Sequence, residues 1–347
     1  MGEEKRGVGT GAARWRLVAS LWQISEEQCG LIMSMSNTPS SLGTDRTPGP
    51  SGDGVAIRVA YVQYLNTLPL VEGLGALRGV ECMTAVPSRL AGMLIAGDVD
   101  VALASVIDAA KNPGLVLIPA GMIGCDGPTL TVRLFSKVPW ERVAVLHADT
   151  DSHTSVVLAQ VILAKRFGVR PAVVDFDAPH HDVGELGAVN AVGPVAAGPA
   201  LVGAQAWPGT VLMIGDKIVT DPPPAGVYGY ELDLGEEWKA LTGLPFVYAM
   251  WMCRGADVAA GAAKRAAIMA LGAMLDRQRR RNTMRTEWLI ERYSQQHGWP
   301  AELARRYVTE YLRYAVGERE REAVGVFIGY ARELRLVGGT APGWVEG

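Results

Sequence analysis

The chain has 347 residues, more than one hydrophobic core usually organises, so two lobes or domains are expected. It is 49% apolar and 20% charged with a net charge of −3, a soluble globular composition that gives no reason to expect nucleic acid or an anionic membrane surface as partner. No run of 18 or more uncharged apolar residues occurs, which excludes a membrane-spanning helix of the ordinary kind.

In chain order, residues 1–54 differ from the rest. Residues 36–54 are almost all turn formers and polar groups, too poor in apolar surface to fold, and are expected to be disordered. Upstream, Trp15–Trp22 is apolar but is interrupted by Arg16, and no small-residue cleavage site follows, so it makes a poor signal peptide. A mis-assigned start, with initiation at Met33 or Met35, explains the tail equally well. With reduced thiols as the default, a cytoplasmic protein is expected.

From residue 55 onward strand and helix patterns alternate. Strands are predicted at Ile57–Val62, Val101–Ala104, Val116–Pro119, Thr131–Phe135, Val143–Leu146, Val173–Phe176 and Val211–Ile214. Helices are predicted at Pro69–Leu77, Pro87–Ile95 and Ser155–Arg166. Asp257–Val337 reads as all helix, packed around a lobe and carrying no chemistry. Such alternation argues for an α/β fold with mainly parallel strands, whose ligands bind at the carboxyl ends of strands.

Several strand ends carry polar groups. Tyr61-Val-Gln-Tyr-Leu-Asn-Thr-Leu-Pro-Leu70 delivers Tyr64, Asn66 and Thr67 to the end of the first strand, just before a helix that Pro69 is suited to start. Asn66 and Thr67 either cap that helix or face a ligand, and these ten residues leave both readings open. Ser105 ends a buried strand. Ile123–Thr129 is a glycine-bearing turn, in which Gly127 serves close ligand approach or only turn geometry. Asp149–Ser155 gathers Ser152, Thr154 and Ser155 at a helix N-terminus, more hydroxyls than one cap needs, and favours a carboxylate or phosphate there.

Cys29, Cys82, Cys125 and Cys253 form no CxxC and show neither zinc spacing nor a disulfide framework. His180-His181 lie in a Gly/Ala/Pro-rich stretch and read as a surface loop. No metal and no cofactor are expected. The basic run Arg277–Arg281 reads as a solvated helix face.

The segments YLNTLPL (64–70), PSRLAGMLIAGDVDVAL (87–103), LFSK (134–137), DSHTS (151–155), IGD (214–216) and LDLGEEWKALTGLPFVYAMW (232–251) together resemble the chorismate dehydratase family, the first enzymes of the futalosine route to menaquinone. The resemblance is spread over most of residues 56–335. It implies an α/β, two-lobed periplasmic-binding-protein type II-like fold with a helical C-terminal part. The expected lobes are 55–136 plus 246–337 and 137–245, with a probable insertion at 178–208 and a ligand cleft between them.

By the same resemblance the chain is expected to be a hydro-lyase that converts chorismate, a small dianion, to 3-[(1-carboxyvinyl)oxy]benzoate and water. Asn66 is the implied catalytic residue. The substrate-binding set is Tyr64, Thr67, Ser105, Gly127, Ser152, Thr154, Ser155 and Asp216. Departures exist: Gln63 stands where the family more often has Ser. The alternatives are a small-anion solute-binding or ligand-sensing protein of the same fold, or a relative of 1,4-dihydroxy-6-naphthoate synthase. No general base is evident in the motifs, and the oligomeric state is not readable.

Overall fold

Val101–Ser105 (β3) is buried at all five positions, as an uninterrupted apolar run requires when neighbours cover both faces of a strand. It lies in a sheet ordered β11-β4-β10-β3-β1-β2, with β12 beside β4. The other members are Ile57–Tyr61 (β1), Val80–Thr84 (β2), Leu115–Cys125 (β4), Phe246–Arg254 (β10), Leu312–Arg313 (β11) and Gly343–Trp344 (β12). A second sheet is ordered β7-β6-β8-β5-β9, from Val132–Ser136 (β5), Val145–Asp149 (β6), Ala172–Phe176 (β7), Thr210–Ile214 (β8) and Tyr230–Asp233 (β9). The computed structural model describes residues 56–149, 151–176 and 207–346. The tail 1–54, Cys29, His180, His181 and nearly all of the insertion expected at 178–208 lie outside the described residues.

The expected α/β class holds, but the strands are mixed rather than mainly parallel. β1 runs parallel to β2 and β3, and β6 parallel to β7 and β8. β10 is antiparallel to β3 and β4, and β5 is antiparallel to β8 and β9. β5 and β10 are the strands by which the chain enters one sheet directly from the other. Neither is preceded by a crossover helix within its own sheet, so neither needs to run with its neighbours.

Three local expectations are corrected. Pro69–Leu77 is not one helix: the helix covers Leu68–Val71, Gly73 adopts φ +82°, and a single 3-10 turn follows at Leu74–Ala76. The side chains of Gln278 and Asn282 both donate to the Glu72 carbonyl, satisfying from outside what a continuing helix would have satisfied from within. The turn placed at Ile123–Thr129 begins only after Cys125, where β4 ends. Asp257–Val337 is not all helix, since Leu312–Arg313 adds a strand beside β4. The strands β2, β9, β10 and β12 were not foreseen.

Helix boundaries follow local chemistry. Pro87 occupies the first turn of Pro87–Ala96, and Gly97 closes that helix in the left-handed region. Ser152 caps His153–Phe167, accepting from the Ser155 N–H, and Gly168 ends it. Asp233 caps Leu234–Thr242, and Gly243 ends that one. Trp238 on this last helix is fully buried, edge-on to both Phe246 and Phe327.

Among the described residues the chain passes between the sheets twice, from β4 to β5 and from β9 to β10. One buried carboxylate serves both passages. Asp233 accepts from the backbone N–H groups of Thr129 and Leu130 on the first passage, at 2.9 and 2.8 Å. It also accepts from Gly235 and Glu236 on the second, at 2.9 and 3.2 Å. Leu130 takes φ +67°, a costly conformation for a branched side chain, and the bond from its N–H to Asp233 holds it there.

Candidate functional site

The end of β1 leads into a tight polar turn. The Thr67 hydroxyl lies 2.7 Å from the Tyr64 carbonyl and 2.9 Å from the Val62 carbonyl, tying the turn to itself. Thr67 is fully buried and is spent on that bracing. Tyr64 and Asn66, on either side of Leu65, line one cavity.

The remaining walls come from distant parts of the chain. β3 supplies Ser105, and β10 supplies Tyr248 and Ala249, the latter paired in register with Ser105. The β4–β5 passage and the start of β5 supply Thr129, Thr131 and Val132. Ile214 and Gly215 close the end of β8, and Ser152 and Ser155 present the start of the helix His153–Phe167. Tyr307 and Leu312 complete the wall from the C-terminal region.

Five of the nine residues named from sequence therefore meet on one cavity: Tyr64, Asn66, Ser105, Ser152 and Ser155. The other four do not line it. Thr67 is internal to its turn. Thr154 is fully buried and accepts from the Ile107 N–H at 3.3 Å, joining its helix to Val106–Lys111. Gly127, at φ +133°, sits behind the wall, where an added Cβ on Gly235 would come within 2.5 Å of its carbonyl oxygen. Asp216 borders a neighbouring depression with Gln63, Tyr64, Lys217 and His297, and its carboxylate is 3.5 Å from His297 Nδ1.

The C-terminal region, expected to carry no chemistry, reaches the site through Tyr307. Its phenol oxygen is 2.7 Å from Thr131 Oγ1 and 3.5 Å from Asn66 Nδ2. The ring is fully buried and stacked on Trp299, with centroids 4.8 Å apart. Tyr307 opens a π-helical turn, Tyr307–Tyr311, a geometry that is frequent at functional sites. No local sequence signal marks it, because the partner residues lie 176 and 241 positions away.

The cavity is uncharged. Among the described residues its wall carries hydroxyls, an amide and apolar groups but no carboxylate, imidazole, ammonium or guanidinium. Burial raises the phenols of Tyr64, Tyr248 and Tyr307 above their ordinary range, so they remain protonated donors near neutrality. For Tyr64 the carboxylates of Asp151, Asp216 and Asp149 add to that effect. Asp149 is itself raised by burial, partly offset by Lys217, which contacts Asp149 closely and Asp151 at 3.2 Å.

A ligand carboxylate in such a cavity meets fixed dipoles in place of a counter-ion. The start of the helix His153–Phe167, with Ser152 and Ser155 on the wall, presents such dipoles. Among the described residues no group of three His, Cys, Asp or Glu side chains is placed to hold a metal ion. No helix of the described residues is long and apolar enough to cross a membrane.

A family model described as menaquinone biosynthesis matches residues 57–189 and 198–333. A chorismate dehydratase of Thermus thermophilus is 28% identical over 195 residues, covering 55% of this chain and 68% of that protein. Among solved structures, a protein from Archaeoglobus fulgidus aligns with a TM-score of 0.59 and 15% identity, over 82% of this chain and 100% of its own. The alkanesulfonate-binding protein from Xanthomonas axonopodis pv. citri, bound to MOPS, aligns with a TM-score of 0.51 and 12% identity, over 83% of this chain and 96% of its own. These likenesses carry the fold: α/β and periplasmic-binding-protein-like, with helices in the C-terminal part.

Proposed function

The chain belongs to the menaquinone biosynthesis family, and from that premise we propose that it is a chorismate dehydratase. The reaction removes the C3 hydrogen and the C4 hydroxyl of chorismate as water, and the ring becomes aromatic as 3-[(1-carboxyvinyl)oxy]benzoate. The single observation that carries the reading is the uncharged cavity in which Asn66, Ser105, Ser152 and Ser155 converge. An elimination needs a base, and the described wall offers none that is ionised near neutrality.

The substrate brings one. In this reading the carboxylate of the enolpyruvyl side chain takes the C3 proton, the C4–O bond breaks, and the side-chain carboxyl returns that proton to the departing oxygen, which leaves as water while the carboxylate is regenerated. Protein groups then act by position. Ser152, Ser155 and the helix start hold one carboxylate, and Asn66 with Ser105 holds the ring so that the side chain folds over C3. Alignment of this kind supplies roughly 7–11 kcal/mol of barrier reduction when the geometry is good.

The test is direct. Purified protein is incubated with chorismate while loss of its absorbance and formation of the aromatic product are followed. Equimolar conversion supports the reading. Binding of chorismate without conversion instead selects a ligand-binding protein of the same fold, and absence of both removes chorismate from consideration.

A further inference from the structure

Three polar groups from three separate regions meet at the cavity, and their donor–acceptor order can be read. On distance alone either oxygen of the 2.7 Å pair between Tyr307 and Thr131 could be the donor. Asn66 decides it. Its Nδ2 points to the Tyr307 oxygen at 3.5 Å, and an amide nitrogen can only donate. With the Asn66 amide so assigned, the phenol oxygen accepts from Asn66, and Thr131 is the partner left among the described residues for its single hydrogen. Two groups are left over on residues that line the cavity. Asn66 Oδ1 is out of reach of solvent and has no hydrogen-bond partner, and the hydroxyl hydrogen of Thr131 is uncommitted.

We propose that Tyr307 is a positioning residue, fixing Asn66 as an acceptor and Thr131 as a donor that together grip a hydroxyl group of the ligand. An alcohol is the group that satisfies both, giving its hydrogen to Asn66 Oδ1 and taking one from Thr131. A carboxylate cannot, because it has no hydrogen for the buried Oδ1, and leaving that acceptor unpaired is costly. The site thus divides its ligand by chemistry: anion toward the helix start at Ser152 and Ser155, alcohol toward Asn66 and Thr131. Resting on the chorismate reading, this assigns the alcohol end to the hydroxyl that leaves. Tyr307 comes to the cavity from the C-terminal region with its ring held by stacking on Trp299, as a positioning group requires.

Tyr307→Phe removes only the phenol oxygen and keeps the stacked ring. In protein labelled with nitrogen-15, the side-chain amide resonances of Asn66 are expected to move on this substitution. Chorismate affinity should fall about 10- to 100-fold, while affinity for the dehydrated product, which lacks the hydroxyl, stays within about threefold. Thr131→Val should reproduce that contrast, and Thr131→Ser should restore wild-type behaviour. Equal weakening of both ligands, or of neither, overturns the proposal. If the wild-type protein ignores chorismate, the functional reading falls on its own. The relay is then judged by the amide resonances, and their indifference to Tyr307→Phe overturns it.

Discussion

His153 Nδ1 lies 2.8 Å from Asp108 Oδ1, and neither residue lines the cavity that holds Asn66. The only histidine among the ligand-loop motifs is thus bound to a buried carboxylate, and faces a separate depression shared with Lys111 and Arg335. His153→Ala is therefore expected to keep chorismate turnover within about threefold of wild type. It should lower stability by about 1–3 kcal/mol, because Asp108 is left buried without its partner. Turnover and urea denaturation of the same preparation check both. Loss of turnover with substrate binding intact would defeat the substrate-assisted mechanism.

Ser152 caps the helix that faces the cavity, accepting from the Ser155 N–H at 3.3 Å, and the two hydroxyls are 3.0 Å apart. Ser152→Ala should cost about 1 kcal/mol of stability through the lost cap. Ser155→Ala leaves the cap in place. If the two hydroxyls hold a substrate carboxylate as proposed, both variants should raise KM for chorismate about tenfold with a smaller change in kcat. Steady-state kinetics separate the two parameters, and an unchanged KM in both variants removes the helix start from the binding site.

Acid sensitivity has a local origin in the first sheet. Asp100 stands at the entry to β3, bonded to the Arg58 backbone and guanidinium, and close to Arg254 and Lys264. Burial pushes its carboxyl up, but the Arg58 hydrogen bonds and neighbouring cations more than offset this and hold it below the ordinary carboxylate value of 3.8. A group lowered in the folded state adds stability that is full above its unfolded value and is lost as pH falls through its folded value. The contribution, about 1 kcal/mol for a partly solvated network, is thus present above pH about 4 and disappears below it. Asp100→Asn should flatten the acid limb of the stability–pH curve in that window while lowering stability at neutral pH. Urea titrations at several pH values show the difference.

The passages between the sheets tolerate no added bulk at one point. A Cβ on Gly235 would lie 2.5 Å from the Gly127 carbonyl oxygen and 2.6 Å from Cys125 Sγ. Gly235→Ala should destabilise the protein by about 1–3 kcal/mol, and by more if the backbone cannot shift. A thermal melt within a degree of wild type would mean that these backbones are not so close in solution.

Local chemistry was legible in the sequence where a motif and its consequence are neighbours. The place of Tyr64 and Asn66 on the cavity wall was legible because the strand end and the turn that carries them fall within ten residues. That of Ser105 was legible because it ends an unbroken apolar strand, and that of Ser152 and Ser155 because hydroxyls before an apolar helix mark an N-terminus. Placements away from the cavity have two origins: Thr67 is claimed by carbonyls three and five residues before it, and Thr154 by the Ile107 N–H, 47 residues away. Tyr307 and Thr131 carry no local sign, since what matters about each is the other. The strands were expected to be mainly parallel, but β10, an apolar run as readable as β3, enters from the other sheet and runs antiparallel to both its neighbours.

Asp233 has a mechanical consequence. Its carboxylate binds two N–H groups on each of the two strands of chain that join the sheets, so those joints are fastened to one another at a common point. Parting the two joints would leave this buried carboxylate without half of its donors, so a change of its charge or length is felt at both joints at once.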